Sequence, residues 1–454
     1  MDAVSRDTGG RSPVLVRDLL LDHFSPLALE ELVIARQEFP LWMRVDLQCE
    51  LEDFFAEFPG HRFSGARTRG TFDFRFPNLI EGGEDGIALG PAVWTSLDVG
   101  DAEPVRCLRR GLWLADTGNM AFGLLLEFDD EGSSSTRMRV EIATPPGAAS
   151  EAYAASVLRR LLAAGRMART LRGKVLTPTP EAHVMFSDSP PDFRVQAMAP
   201  VARDEMVLAP GVLDLIERNT LGFAAQSAAL AQLGMSARKG ILLYGPPGTG
   251  KTLIVRYLAG ALGDYTKFIL GAHQMSYLGE AIQTARFVQP AMVVIEDVDL
   301  IAADRDGPWQ HRPSLLNHLL NEMDGIEPDS RVLFVLTTNR PEVLEPALAG
   351  RPGRIDQAIE IGLPEDHERR ILLRRYARGL EVADETVAAV CKRVGRVSPA
   401  YIKEVDRRAA QAMFERGGES LGMGDFEQAL GDMTSGQGRL GVKLSGASGS
   451  VGFA

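Results

Sequence analysis

Cysteine is scarce in this 454-residue chain, and its placement excludes two classes of protein. Cys49, Cys107 and Cys391 lie far apart and form no Cys-x-x-Cys pair. This spacing argues against a disulfide scaffold and against a cysteine metal site, and it is typical of a reducing compartment. The seven histidines also lack the spacing of metal ligands, so we expect them to be structural or surface residues.

Long apolar runs and an excess of positive charge are also missing. No segment reaches the ~18 apolar residues of a transmembrane helix, and the amino terminus lacks a basic region followed by an apolar one. The chain has 61 acidic and 49 basic residues and a formal net charge of −12. That charge argues against a protein bound to nucleic acid or to an anionic membrane. We therefore expect a cytoplasmic protein with no membrane partner and no nucleic-acid partner.

The pattern over residues 1–174 predicts an α+β domain. Apolar residues recur at helical spacing from Pro26 to Phe55 and are interrupted by Pro40, which predicts two helices. Strict alternation over Thr71–Phe76 and over 137–142 predicts strands with one buried face, and polar residues 129–135 predict a hairpin before the second of these. The phenylalanines of Thr71–Phe76 could form a ligand-stacking face, but core packing is the preferred interpretation.

A long amphipathic helix is predicted over residues 150–174. Its second half contains six basic residues: Arg159, Arg160, Arg166, Arg169, Arg172 and Lys174. A solvated basic face is preferred over a nucleic-acid site because the chain is acidic overall. The proline-rich stretch 175–205 predicts a connector with at most one hairpin, and the Gly- and Ser-rich stretch 434–454 predicts a disordered tail.

A glycine-rich loop indicates nucleotide chemistry. Its residues are Gly245, Pro246, Pro247, Gly248, Thr249, Gly250, Lys251 and Thr252. An apolar strand-like run, 240–244, precedes the loop, and a segment of helical spacing, 253–262, follows it. Backbone N–H groups and the positive end of that helix can then face phosphate oxygens. Lys251 is expected to reach the β and γ phosphates of ATP, and the hydroxyl of Thr252 to bind Mg²⁺. A chance glycine-rich turn would lack this strand and helix context.

Two further apolar runs end in polar residues. Residues 290–295 read as a buried parallel strand and are followed by Glu296 and Asp297. One acid is expected to hold Mg²⁺ and the next to orient the attacking water, although both could be ordinary strand-end carboxylates. Residues 332–338 read as another buried strand and end at Asn339. Its amide could bond the γ-phosphate or the attacking water, or it could simply begin a turn.

With Arg351-Pro352-Gly353-Arg354 added, the region from about Leu208 to Met433 resembles an AAA ATPase of the AAA+ superfamily. The phosphate loop, the acidic strand, the Asn-ended strand and this arginine segment occur in the family's order. Leu315–Gly325 also resembles the helix that precedes the Asn-ended strand. The resemblance implies a doubly wound parallel α/β subdomain at 206–363 and a small helical lid at 364–433. The N-terminal domain would then select a protein client or adaptor.

The resemblance also implies roles for individual residues. AAA proteins commonly form six-membered rings, in which Arg351 and Arg354 would face the ATP of the neighbouring subunit. By position Glu296 takes the Mg²⁺ role and Asp297 the water-orienting role, the reverse of the family's usual Asp-Glu order. The shorter Asp297 side chain predicts slower hydrolysis. Gly350 resembles an insertion that shifts the reach of Arg351.

Two other segments carry a likeness to the family. Tyr277-Leu278-Gly279-Glu280 resembles the pore loop that grips a threaded polypeptide, with a core tyrosine as the alternative. Residues 398–405 resemble the start of the lid helix that packs near the nucleotide.

Four functions remain to be compared. The leading hypothesis is a chaperone-like, ATP-driven remodeller or unfoldase, and the main alternative is a regulatory switch or scaffold that does not thread polypeptide. An AAA metalloprotease would need a His-Glu-x-x-His helix and a membrane anchor, and the sequence shows neither. A nucleic-acid motor rests only on the arginine-rich helix.

Overall fold

A computed structural model describes residues 15–67, 74–81, 87–101, 103–129, 137–179, 192–302, 315–325, 327–342 and 355–435. The contacts divide the chain into two compact units. The first comprises Met1–Arg172 and Pro178–Val195, and the second comprises Gly173–Thr177 and Gln196–Ala454.

An antiparallel sheet forms the centre of the first unit. Its strands are β1 (Val33–Phe39), β2 (Arg62–Arg67), β3 (Ala88–Gly90), β4 (Val93–Leu97), β5 (Val105–Asp116), β6 (Ala121–Asp129) and β7 (Arg137–Thr144). The hydrogen-bonded order is β1-β7-β6-β5-β2-β3, and β4 pairs with β5 beside that path. The predicted hairpin is confirmed, because β6 and β7 pair antiparallel up to Asp129 and Arg137.

Helices cover this sheet. They are α1 (Val16–Phe24), α2 (Arg44–Ala56), α3 (Phe76–Glu81) and α4 (Ala148–Met167), with 3-10 turns at Leu29–Glu31 and Leu41–Met43. The α4 helix packs on β1 and β7 and buries Ala154, Val157 and Leu161, which share one helical face. A further strand, β9, spans Asp192–Val195.

The predicted helix between Pro26 and Pro40 is wrong. Residues Val33–Phe39 instead form β1, which pairs with β7 along its whole length. The second predicted helix is confirmed as α2. A strand partner about a hundred positions away supplies the backbone hydrogen bonds of β1, and a local apolar pattern cannot reveal that partner.

The predicted strand over Thr71–Phe76 is also wrong in its described part, because Phe76 begins α3 and the first three residues lie outside the described ranges. Two buried carboxylates take the place of a strand partner. Glu127 Oε1 accepts from the backbone N–H of Phe74 at 2.8 Å, and Glu141 Oε2 accepts from that of Phe76 at 2.9 Å. Core packing of these phenylalanines is confirmed, since both are fully buried.

The arginine-rich helix is shorter than predicted. It ends at Met167, because Ala168 adopts left-handed backbone angles with φ of 44°. Within the helix Arg160 donates to Glu50 at 2.6 Å and to Glu57 at 2.7 Å. This pairing agrees with a solvated, ion-paired face.

A parallel sheet organises the second unit. Its strands are β8 (Val175–Thr179), β10 (Lys239–Tyr244), β11 (Thr266–Leu270), β12 (Ala291–Ile295), β13 (Val332–Thr338) and β14 (Gln357–Glu360). Their order is β14-β10-β13-β12-β11-β8, and each of these neighbouring pairs is parallel. Every residue of β12 and β13 is buried, which agrees with their continuous apolar sequences. The predicted parallel α/β fold is confirmed. Strand β8 comes from the stretch that the sequence predicted to be a connector.

The helices around this sheet are α5 (Val212–Glu217), α6 (Phe223–Gln232), α7 (Lys251–Ala261), α8 (Leu278–Phe287), α9 (Val298–Ala302) and α10 (Leu315–Asp324). A π-helical turn, Arg218–Gly222, joins α5 to α6. The α10 helix confirms the one predicted over Leu315–Gly325. Among the described helices, none combines the length and the apolar character that a membrane crossing needs.

The helical lid follows the sheet. It consists of α11 (Asp366–Tyr376), α12 (Asp384–Val394), α13 (Pro399–Glu415) and α14 (Met423–Ser435). Leu373, Val387, Ile402 and Phe426 belong to its apolar core. This core forms separately from the apolar cluster around α7 and the sheet.

Asp406 on α13 is a buried acid in the lid. Neither of its carboxylate oxygens has a hydrogen-bond partner among the described residues, and burial raises its pKa to about 8. Tyr376 and Cys391, on the helices α11 and α12, lie close enough to Asp406 to interact with its charge. Burial raises the pKa of both of these groups as well, so Asp406 is the group expected to titrate between pH 4 and 8.

We expect Asp406 to make the stability of the protein depend on pH. The unfolded carboxyl has a pKa of about 3.9, so the folded state holds an extra proton between about pH 4 and 8, and stability falls as pH rises through that window. Asp406→Asn, which resembles the neutral acid, should raise the melting temperature at pH 8 and flatten its dependence on pH. Glu419→Gln removes an exposed charge of the same sign and serves as the control. Parallel melting curves for wild type and Asp406→Asn from pH 5 to 8 would contradict the expectation.

Candidate functional site

The phosphate loop lies between β10 and α7, as predicted. Three of its glycines have positive φ: 149° at Gly245, 76° at Gly248 and 104° at Gly250. Other residues resist these angles, and at Gly245 a side chain would also collide with the carbonyl oxygen of Ile361. The glycines therefore let the chain turn tightly from the strand into the helix.

Lys251 is the first residue of α7 and is 7% exposed. Its Nζ donates to the carbonyl oxygens of Gly245 at 2.8 Å and Pro246 at 2.9 Å, inside the curve of the loop. Thr249 Oγ1 donates to the same Pro246 carbonyl at 2.9 Å. Burial lowers the pKa of Lys251, and the charges of Asp297 and Asp299 act against that lowering. Thr252 follows with an exposed side chain.

The acidic segment begins where β12 ends. The N–H of Glu296 still bonds to Leu270 of β11 at 2.9 Å, whereas Asp297 leaves the strand with a φ of 53°. Aspartate tolerates this left-handed conformation better than most residues. One oxygen of Glu296, Oε1, is buried and accepts no hydrogen bond from the described residues.

Asn339 meets the acidic segment at the end of β13. Its side-chain Nδ2 donates to Asp297 Oδ1 at 3.0 Å. Thr337, also on β13, accepts the backbone N–H of Asp297 through its Oγ1 at 3.1 Å. The two polar strand ends that the sequence suggested are therefore in direct contact.

Sequence reasoning assigned no role to Asp299, the second residue of α9. Its side chain is 4% exposed, and Oδ1 accepts from Thr338 Oγ1 at 2.8 Å and from the N–H of Asn339 at 3.1 Å. One feature of the sequence could have indicated that Asp299 is buried. It is a charged residue that lies between the apolar Val298 and Leu300, soon after an apolar strand.

The lid helix α13 touches the phosphate loop. Ser398 caps this helix by accepting the N–H of Tyr401 at 3.3 Å. The N–H of Ala400 donates to the Gly248 carbonyl at 3.2 Å, and a side chain at Gly248 would lie 2.9 Å from the Ala400 Cβ. The start of the helix thus packs on the loop, where the resemblance placed it.

The segment that resembles the pore loop lies where a 3-10 turn meets α8. Tyr277 ends a 3-10 turn and is partly exposed, but Leu278 begins α8 and is fully buried. The side chain of Leu278 therefore packs inside the subunit, and the assignment of this segment to a pore loop stays a prediction. Arg351, Arg354 and the inserted Gly350 lie outside the described residues.

Comparison with known proteins agrees with this geometry. Residues 241–363 match the profile of the ATPase family associated with various cellular activities (AAA). An ATP-dependent zinc metalloprotease FtsH from Acidimicrobium ferrooxidans is 34% identical over 242 residues, which cover 50% of this chain and 36% of the relative. The FtsH of Thermus thermophilus is 30% identical over 288 residues, which cover 60% of this chain and 43% of the relative.

The chain thus spans less than half the length of these two curated relatives. Among solved structures, the FIGL-1 AAA domain in complex with ADP aligns with 51% of this chain and 85% of its own length at 21% identity. The TM-score of this alignment is 0.42. The family profile and the curated relatives agree on the same region, so residues 241–363 carry an AAA ATPase domain.

Proposed function

We propose that the AAA domain binds and hydrolyses ATP between the phosphate loop and the ends of β12 and β13. The contact between Asn339 and Asp297 carries the proposal, because it brings an amide and a carboxylate to the edge of the sheet where Lys251 is buried in the loop. Such a set can neutralise phosphate charge and orient a water molecule for in-line attack.

Magnesium is the cofactor that this reaction needs. Thr252 offers an exposed hydroxyl beside Lys251, and Glu296 has a buried oxygen without a hydrogen-bond partner in the described chain. Hydroxyl and carboxylate oxygens suit a hard divalent cation. We therefore assign Thr252 and Glu296 to Mg²⁺, which supplies charge neutralisation at the phosphates when bound.

Asp297 is assigned to the attacking water. In the structure its carboxylate is held by Asn339, so it must exchange or share that bond before it can accept a proton from water. Its side chain is one methylene shorter than the glutamate usual in the family, and the left-handed backbone changes the direction in which it leaves the chain. Slower turnover is the expected consequence.

The energy of hydrolysis is proposed to remodel or unfold a protein client. This proposal rests on the likeness to the ATP-dependent FtsH relatives, and it includes assembly into a homo-oligomeric, hexameric ring in which Arg351 and Arg354 reach the neighbouring subunit's ATP. Residues 1–174 would bind the client or an adaptor. The protein is proposed to act in the cytoplasm.

A second function, a nucleotide-dependent switch or scaffold that does not thread polypeptide, is favoured by one observation. Leu278 is buried directly after Tyr277, so Tyr277 is the one apolar side chain of the segment 277–280 that can contact a client. The two functions share the ATPase site and differ in what Tyr277 does.

Lys251→Ala should abolish ATP hydrolysis, because the variant loses the ammonium group that neutralises the β and γ phosphates. Phosphate release by the purified variant measures the effect. Lys392→Ala removes an exposed lysine from α12 and should behave as wild type. Wild-type rates in Lys251→Ala would exclude this loop as the ATP site.

The two acids should respond differently, since Glu296 still bonds to β11 through its backbone whereas Asp297 leaves the strand with left-handed backbone angles. Asp297→Asn should bind Mg·ATP and hydrolyse it slowly, whereas Glu296→Gln should require more Mg²⁺ for half-maximal activity. Titration of Mg²⁺ and measurement of bound ATP separate the two effects. If Glu296→Gln traps ATP while Asp297→Asn turns over normally, the assignment by position is reversed.

Tyr277→Ala distinguishes the remodeller from the switch. A pore residue can be truncated with little effect on the melting temperature or the basal ATPase rate, whereas truncating a buried aromatic costs about 3–5 kcal/mol. Tyr265→Ala, at a tyrosine that is 7% exposed, calibrates the loss for a core position. A similar drop in melting temperature for both variants would remove the pore assignment and favour the switch.

A further inference from the structure

The backbone at the end of β13 needs hydrogen-bond acceptors that the sheet does not supply. The register of β12 with β13 ends at Ile295 and Leu336, because Asp297 turns out of the strand. The N–H groups of Asn339 and Arg340 therefore extend past the last residue of the neighbouring strand. Backbone N–H groups that leave a sheet in this way need other acceptors, from side chains or from water.

Side chains supply those acceptors. Asp299 Oδ1 accepts the N–H of Asn339 at 3.1 Å, and Thr338 Oγ1 accepts the N–H of Arg340 at 3.0 Å. The two acceptors are linked, because the Thr338 hydroxyl itself donates to Asp299 Oδ1 at 2.8 Å. A single carboxylate oxygen of Asp299, on α9, thus holds the backbone where β13 ends.

Asn339 is therefore held through both its backbone and its side chain. Its backbone N–H bonds to Asp299, and its side-chain amide bonds to Asp297. The second bond must change when Asp297 engages a water molecule. The first bond need not change, since Asp299 is almost fully buried and its acceptor oxygen already has two donors.

We propose that Asp299 is a positioning residue for ATP hydrolysis, which keeps Asn339 in place while Asp297 exchanges its partner. The inference rests on the proposed ATPase function. Asp299 acts through hydrogen-bond acceptance and backbone geometry. Both bonds end on one oxygen, so an uncharged amide oxygen at this position can also accept them.

This distinction can be tested with two substitutions at one position. The amide oxygen of asparagine can accept both bonds without a charge, whereas alanine can accept neither. Asp299→Ala should lower kcat about 10- to 100-fold, the range found when groups that orient active-site ligands are removed, with little change in the KM for ATP. Asp299→Asn should retain most of the wild-type kcat.

A second pair of variants separates an effect on catalysis from an effect on folding. Thr338→Val removes the hydroxyl that links Asp299 to Arg340 and should lower kcat at a similar melting temperature. Thr266→Val is the matched control, because Thr266 is fully buried in β11 and its hydroxyl donates to the Val288 carbonyl at 3.4 Å. It should leave kcat at the wild-type value.

Hydrogen exchange gives a readout that does not depend on hydrolysis. The amides of Asn339 and Arg340 should exchange faster in Asp299→Ala and stay protected in Asp299→Asn, while those of β10 remain unchanged in both. Wild-type kcat in Asp299→Ala, or equal losses of kcat in the two Asp299 variants, would overturn the inference. If the wild-type protein hydrolyses no ATP, the proposed function is refuted. In that case hydrogen exchange still tests the positioning role, which unchanged exchange in Asp299→Ala would refute.

Discussion

The parallel pairing of β10, β13 and β12 is the constraint on which the site depends. The register places Tyr244 beside Thr338 and Ile295 beside Leu336. The phosphate loop, Asn339 and the acidic segment must therefore leave the sheet at the same edge. In a parallel sheet, the loops that follow the strands all leave from the same edge. Functional residues from three distant parts of the sequence therefore meet at that edge.

Local sequence predicted the residues of this site well, because each motif is a strand followed by its own loop. The turn at Gly245 to Lys251 needs only its glycines and the helix that follows. Partners that come from elsewhere in the chain were harder to foresee. Asp299 has no distinctive neighbours in sequence, and its role appears only when Asn339, forty positions later, lies beside it.

The failures in the rest of the fold have the same physical origin. The residues of β1 have apolar spacing that suits a helix, but pairing with β7 determines their conformation. The Phe74 to Phe76 segment satisfies its N–H groups through Glu127 and Glu141, which a strand pattern cannot indicate.

The contact between Ala400 and Gly248 gives the lid a mechanical property. The α13 helix begins at the phosphate loop and continues for 17 residues, a length of about 25 Å. Its near end is tied to the loop by the Ala400 N–H, so a change in the loop acts on that end of the helix directly. A tilt of a few degrees caused by a change at the loop would displace the far end by more than an ångström, which is enough to alter packing on the opposite side of the lid.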